Sequence, residues 1–143
     1  ATVMGAVSQQ NAEFLAALVL LQAVREGAPV VYGAFTSNVD MKSGAPAFGT
    51  PENSRANMAG GQMARRYSLP YRTSACNASN TVDPQSAHET QMALWGAVTG
   101  VGNLIYHAAG WLEGGLVASF EKLVLDGEML QMMTSLISDH SIT

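Results

Sequence analysis

Tyr71-Arg-Thr-Ser-Ala75, Cys76-Asn-Ala-Ser-Asn-Thr-Val82 and Asp83-Pro84 follow one another directly, and Gly100 closes the run that Asp83 opens. The first stretch reads as a short strand and the second as a polar loop. Asp83 before Pro84 is a helix start, because an aspartate side chain accepts a free backbone N–H and proline costs nothing at the first helical position. The same order recurs on both sides. Upstream, Pro29 to Phe35 is β-branched and apolar on both faces, as a strand covered by helices must be. A long loop, Thr36 to Gly49, then leads to Thr50-Pro51-Glu52, a second capped helix start that runs to about Tyr67. Downstream, Asn103 to Ala108 reads as a strand. A loop punctuated by Gly110, Gly114 and Gly115 follows, then a helix from about Val117 to Ser138 with Phe120, Leu123, Val124, Met129 and Met133 on its apolar stripe. At the start, Thr2 to Val7 reads as a stub of strand and Ser8 to about Glu26 as an amphipathic helix stopped by Gly27. Four βα units without a hairpin signal predict a parallel sheet, either a segment of a barrel or a doubly wound sheet. Eight such units close a barrel, so four would leave two open sheet edges.

Composition narrows the functional classes. The chain has 143 residues, 48% of them hydrophobic and 13% charged, which permits a substantial core and excludes intrinsic disorder. Seven basic and eleven acidic residues are spread without a basic stripe, so nucleic acid is not an expected partner. The longest apolar run, Phe14 to Leu21, is far short of the roughly 20 residues that span a bilayer, and no membrane segment is expected. One cysteine, Cys76, cannot form an internal disulfide and fits a reducing cytoplasm. The first residues lack the basic start of a signal peptide and look like the inside of a domain, which suggests a fragment. His88, His107 and His140 are too scattered for a structural zinc site, and the glycines lack dinucleotide or Walker spacing.

In either parallel architecture, chemistry gathers at the carboxyl ends of the strands: Gly5, Tyr32 to Thr36, Arg72 to Cys76, and Tyr106 to Trp111. Alternation puts Arg72 and Ser74 on one face of the third strand, and Asn103, Ile105 and His107 on one face of the fourth. If that face is the interior, Arg72 can clamp a carboxylate with two parallel hydrogen bonds and His107 can add a second polar contact. An arginine paired with an acid at the rim, and a histidine satisfied by backbone, fit the same spacing. Tyr32, Phe35, Tyr106 and Trp111 can surround a quaternary ammonium, or can be core. Asp40 and Glu113 are acids near these strand ends, with capping or turn roles as the alternative. A Cys76 nucleophile with His107 as its base is a further, weaker reading.

The stretches Ser8-Gln-Gln-Asn-Ala-Glu13, Gly27-Ala-Pro-Val-Val-Tyr-Gly33, Asp40-Met-Lys-Ser-Gly-Ala-Pro46, Phe48-Gly-Thr-Pro-Glu52, Ala64-Arg-Arg-Tyr67, Leu69-Pro-Tyr-Arg-Thr-Ser74, Asp83-Pro-Gln85, Ala109-Gly-Trp-Leu-Glu-Gly-Gly115 and Ser119-Phe-Glu-Lys-Leu-Val-Leu-Asp126 are together more specific than any single motif. In that order they resemble the later part of the trimethylamine methyltransferase family. The resemblance implies an α/β fold of the (β/α)8 TIM-barrel type, of which residues 1–143 would be the C-terminal portion, a single domain with about four βα units. It also implies a methyltransferase that moves a methyl group from a tertiary or quaternary amine to a corrinoid (cobalamin) borne by a separate cognate protein, with no cofactor or metal bound directly. The branch without pyrrolysine, which includes glycine betaine methyltransferases, is the nearer one, since the sequence contains no such residue. By resemblance the substrate-binding residues are Arg72, His107, Tyr32, Phe35 and Trp111, while the catalytic residues stay unassigned. A cytoplasmic homo-oligomer is expected, and the chain alone would be inactive without the missing walls of its pocket. The alternative is a non-catalytic truncated barrel that binds a ligand or another chain.

Overall fold

The computed structural model describes residues 2–33 and 35–138; Ala1, Ala34 and the stretch 139–143, with His140, lie outside them. Among the described residues the chain is a mixed α/β fold with four α-helices, a parallel sheet of three short strands and two small antiparallel ribbons. Helix α1 is Val3–Val24 and is followed by strand β1, Tyr32–Gly33. The long loop folds back on itself as strands β2, Asn38–Val39, and β3, Pro46–Ala47, before helix α2, Pro51–Arg66. Strand β4, Tyr71–Ser74, helix α3, Pro84–Thr99, and strand β5, Leu104–Tyr106, come next. Strands β6, Trp111–Leu112, and β7, Val117–Ala118, form the second ribbon and lead into helix α4, Phe120–Ile137.

The helix starts follow the capping chemistry written in the sequence. Thr50 accepts the Asn53 amide at 3.4 Å. Asp83 accepts the Ser86 amide at 2.8 Å, while Ser86 Oγ accepts the Asp83 amide at 3.1 Å. Ser119 accepts the Lys122 amide at 3.2 Å. The same chemistry overturns one expectation. Of the expected strand Thr2 to Val7, Val3 to Val7 are helix, because Thr2 Oγ1 accepts the Gly5 amide at 3.1 Å and caps α1. The parallel sheet therefore has three strands, ordered β1-β4-β5, not four. The two antiparallel ribbons carry no signal in the sequence. The first is closed by Asp40, whose carboxylate accepts the amides of Lys42 and Ser43 and the Ser43 hydroxyl, so this acid has the turn role. These bonds, that of the Ser43 hydroxyl foremost, hold its pKa below the usual carboxylate value.

The sheet's two faces differ. Parallel partners share a face, and the register sets Tyr32 beside Tyr71 and Thr73 beside Ile105. That face is covered by helices. Tyr32, Ala64 and Tyr71 pack with Phe14, Met63 and Tyr67, while Ala75, Ala93, Leu94 and Met133 pack with Ile105 and Met129. Gly33, Arg72, Leu104, Ser74 and Tyr106 lie on the other face, where Val31, Gly33, Phe35, Arg72, Leu104 and Tyr106 line an open cleft of about 490 Å³. Apolar side chains are also exposed on α1, among them Val19, Leu20 and Val24, and on α4, among them Phe120 and Val124. The apolar stripes read from the sequence are therefore only partly covered.

Helices α2 and α3 cross closely because glycines meet there. A β-carbon at Gly61 would lie 1.9 Å from the Gly100 carbonyl oxygen, and one at Gly96 would lie 2.7 Å from Ser54 Cα. A backbone atom cannot swing aside as a side chain can. Gly61→Ala is therefore expected to lower the melting temperature, because forced separation of the helices outweighs the ~1 kcal/mol gained in helix propensity. Thermal unfolding checks this, and an unchanged or raised midpoint contradicts it.

Candidate functional site

The carboxyl ends of β1, β4 and β5 bring four of the five sequence-derived site residues together. Arg72 rises from β4 with its guanidinium carbon 4.4 Å from the Tyr106 ring centre and 5.8 Å from that of Phe35. Phe35 lies 5.3 Å from the imidazole of His107, and Trp111 lies 5.7 Å from it on an edge-on approach. Phe35 is backed at 4.5 Å by buried Phe48, which also closes on Gly114. The result is a rim in which Tyr106 and Phe35 face one guanidinium and His107, beside Phe35, carries it on to Trp111.

Tyr32 does not join it. Its side chain is fully buried on the helix-covered face, 4.6 Å from Phe14, and its hydroxyl donates to Asn11 and accepts from Gln10. Register with Tyr71 puts it there, since a strand's side chains alternate and Tyr32 falls on the core side. Its placement is that of a core tyrosine.

His107 reaches the rim by a route that alternation does not give. Ile105 points into the helix-covered core, so continued strand geometry would send His107 the same way. Strand β5 ends at Tyr106, however, and His107 adopts a positive φ of 55°. This left-handed turn, rare for a residue with a side chain, brings the ring back to Ser74, whose Oγ lies 3.0 Å from Nδ1. The sequence leads one to expect His107 beside Arg72, and the structure puts it there by this turn rather than by alternation.

Burial first, and then the charge of Arg72, hold the His107 pKa below 6.5. The imidazole is therefore neutral at pH 7, and if Ser74 donates to Nδ1, the proton sits on Nε2. Because the folded state resists protonation, the stability that His107 contributes is present above pH 6.5 and is lost as the pH falls from there through the lowered folded value. NMR titration should give His107 a midpoint below 6.5 that moves up in Arg72→Gln. A midpoint at or above 6.5 in the parent contradicts this.

Other contacts hold the strand ends and carry no signal in the sequence. One turn apart on α2, Asn53 donates to the Thr36 carbonyl at 2.9 Å and Asn57 to the Ser74 carbonyl at 3.2 Å. Glu89 on α3 accepts the amides of Ala78 and Ser79 and the Ser79 hydroxyl, fixing the loop after β4. Beneath the rim, Lys122 and Asp126 form a fully buried ion pair. Cys76 is also buried, and desolvation pushes its thiol up to about 11, so it is protonated at neutral pH. With His107 Nδ1 engaged by Ser74, a Cys76–His107 nucleophilic pair has no support. Among the described residues no group of three or more His, Cys, Asp or Glu could hold a metal ion, and no helix is long and apolar enough to cross a membrane.

Comparison with known proteins matches the chain to the trimethylamine methyltransferase (MTTB) family over residues 1–143. It is 40% identical over 135 residues to a glycine betaine methyltransferase of Desulfitobacterium hafniense (strain Y51), covering 93% of this chain and 28% of that protein. It is 34% identical over 137 residues to a proline betaine:corrinoid methyltransferase of Eubacterium limosum, covering 95% and 28% respectively. A trimethylamine methyltransferase MttB of Methanosarcina barkeri (strain Fusaro / DSM 804) is 37% identical over 131 residues, covering 90% and 26%. The chain thus spans a little over a quarter of the length of these relatives. With a match running from its first residue to its last, the chain belongs to the trimethylamine methyltransferase family.

Proposed function

We propose that the chain is the C-terminal part of a corrinoid-dependent methyltransferase and that its rim holds a betaine-like quaternary amine, with Arg72 on the carboxylate and aromatic rings around the ammonium. The observation that carries this reading is the juxtaposition of one guanidinium with Phe35, Tyr106, His107 and Trp111. A betaine has one anionic end and one quaternary cationic end, and the rim offers a complement to each. Arg72 lies closest to Tyr106, at 4.4 Å, and farther from Phe35, at 5.8 Å, so the ammonium would fall toward Trp111 and the side of Phe35 away from the guanidinium. Cation–π attraction adds about 1 kcal/mol for each ring that faces the ammonium. With Nδ1 facing Ser74, a neutral His107 would offer its Nε2 proton to the carboxylate.

The contribution of these residues is orientation and electrostatics. Two anchors at opposite ends of a short zwitterion would leave one methyl group facing outward while the others rest on the rings. In the full-length protein that methyl group would be offered to an acceptor brought on another protein. The corrinoid of that partner would supply a reduced cobalt able to accept the methyl group. Methyl transfer by the full-length protein to a reduced corrinoid protein, with glycine betaine as donor, tests the reading. Transfer from glycine betaine supports it, whereas transfer from trimethylamine alone removes the carboxylate-anchored substrate.

A partial (β/α)8 barrel is the architecture we assign. Three parallel strands in chain order with helices covering one face and the other face open favour it over a doubly wound sheet, which carries helices on both faces. The cleft face and the apolar residues exposed on α1 and α4 favour self-association of the isolated 143-residue chain, as a homodimer with an isologous interface. Sedimentation at micromolar concentration should show the dimer; a monodisperse monomer contradicts it.

A further inference from the structure

The buried ion pair beneath the rim has no part in the binding scheme above, yet it connects to it. Lys122 is 0% and Asp126 1% exposed. Lys122 Nζ donates to Asp126 Oδ1 and, at 2.9 Å, to Thr90 Oγ1. The Thr90 hydroxyl oxygen also accepts from Asn77 Nδ2 at 3.3 Å, and the same amide nitrogen donates to the Trp111 carbonyl at 2.6 Å. At the far end, Asp126 Oδ2 accepts the Gly110 amide at 2.9 Å. One continuous chain of hydrogen bonds, buried except for its last, part-buried link, therefore begins at the Gly110 N–H and ends at the Trp111 carbonyl. Both ends of a single dipeptide are gripped.

We propose that the Lys122–Asp126 pair, acting through Thr90 and Asn77, is a positioning device that fixes the Gly110–Trp111 backbone and with it the Trp111 ring against His107. Its importance for the amine rests on the substrate reading above; the clamp itself does not. A helix position wholly removed from water is a costly place for a lysine and an aspartate, and well-packed apolar residues of similar size often hold a fold as well. What apolar residues cannot do is accept an amide proton from Gly110 or direct Thr90 and Asn77 toward the Trp111 carbonyl. The chain leaves β5 through His107 at a φ of 55° and Gly110 at 79°, and although the β6–β7 ribbon sets Trp111 opposite Ala118 and the Gly110 carbonyl accepts the Ser119 amide, the Gly110 N–H and the Trp111 carbonyl are bonded to the buried network instead. Lys122 and Asp126 touch none of the rim rings in this scheme; they act through the loop backbone.

The test uses the full-length protein that carries this sequence, labelled with fluorotryptophan, with the Trp111 resonance identified by its loss in Trp111→Phe. In Lys122→Met/Asp126→Leu the fold should survive with little change in melting temperature, since an apolar pair replaces the ionic one. The Trp111 fluorine signal should shift and show a larger solvent isotope effect, and glycine betaine should bind roughly tenfold more weakly, as expected for a misplaced contact. Thr90→Val, which cuts the chain at its middle without removing the charges, should disturb the Trp111 signal as well and decides the matter if the double variant does not fold. An undisturbed Trp111 signal in folded Lys122→Met/Asp126→Leu, or in Thr90→Val, overturns the proposal. If the parent binds no betaine, the substrate reading fails, while the fluorine signals still decide the clamp.

Discussion

Arg72→Ala in the full-length protein is expected to weaken glycine betaine binding by roughly tenfold to a hundredfold, the equivalent of about 1.5–3 kcal/mol for a charge-assisted bond to a carboxylate. The guanidinium is held over Tyr106 at 4.4 Å, and its planar fork matches the geometry of a carboxylate. Arg72→Lys should restore little, since an ammonium has neither the fork nor the stacking plane. Binding of trimethylamine, which has no carboxylate, should change far less. Calorimetry with both amines separates the outcomes. Unchanged betaine affinity in Arg72→Ala would make Arg72 a structural residue, its guanidinium serving only to pack against Tyr106 and Phe35.

The largest effect on stability is expected from Asp126→Ala. Removing one member of a buried pair leaves the other charge without compensation, at a cost of about 3–5 kcal/mol. Lys122 is wholly buried, and Thr90 would be left as its partner. The Gly110 amide would lose its acceptor at the same time. Since a domain is typically stable by about 5–15 kcal/mol, the variant should lose a large share of its stability, seen as a fall in the denaturant midpoint. A midpoint close to that of the parent would mean that the pair is solvated or reorganises at little cost.

The parts of the fold legible in the sequence are those set by local chemistry. Thr50-Pro51-Glu52 and Asp83-Pro84 announce their helices, because a cap needs only a side-chain acceptor, a proline and a few residues of chain. Thr2 carries the same chemistry, but the neighbouring Val3 and Val7 suggest a strand, and the cap prevails. The short ribbons β2–β3 and β6–β7 have two residues per strand, too few for any alternation to register.

The site is legible to a similar degree. Position at a strand end predicts Arg72, Phe35, His107 and Trp111 as neighbours, and the structure places them so. Position at a strand end misleads at Tyr32, which alternation and its register with Tyr71 turn to the core, and alternation fails at His107, where a left-handed residue breaks the period. The Lys122–Asp126 pair escapes a sequence reading because opposite charges four apart on a helix ordinarily face water. Its one signal is its surroundings: Leu123, Val124 and Leu125 lie between the two charges, and Met129 and Met133, which join the core, follow them on α4.

A rim that receives a methylated amine by both its ends should put the N-methyl groups against its rings. Intermolecular NOEs from the N-methyl protons of glycine betaine to the full-length protein test it most directly, because they report the ligand's place without requiring turnover. NOEs are expected to the ring protons of Phe35 and Trp111, and are lost when glycine betaine is displaced by proline betaine. Binding of glycine betaine with NOEs confined to other residues, or no binding at millimolar concentration, would contradict it.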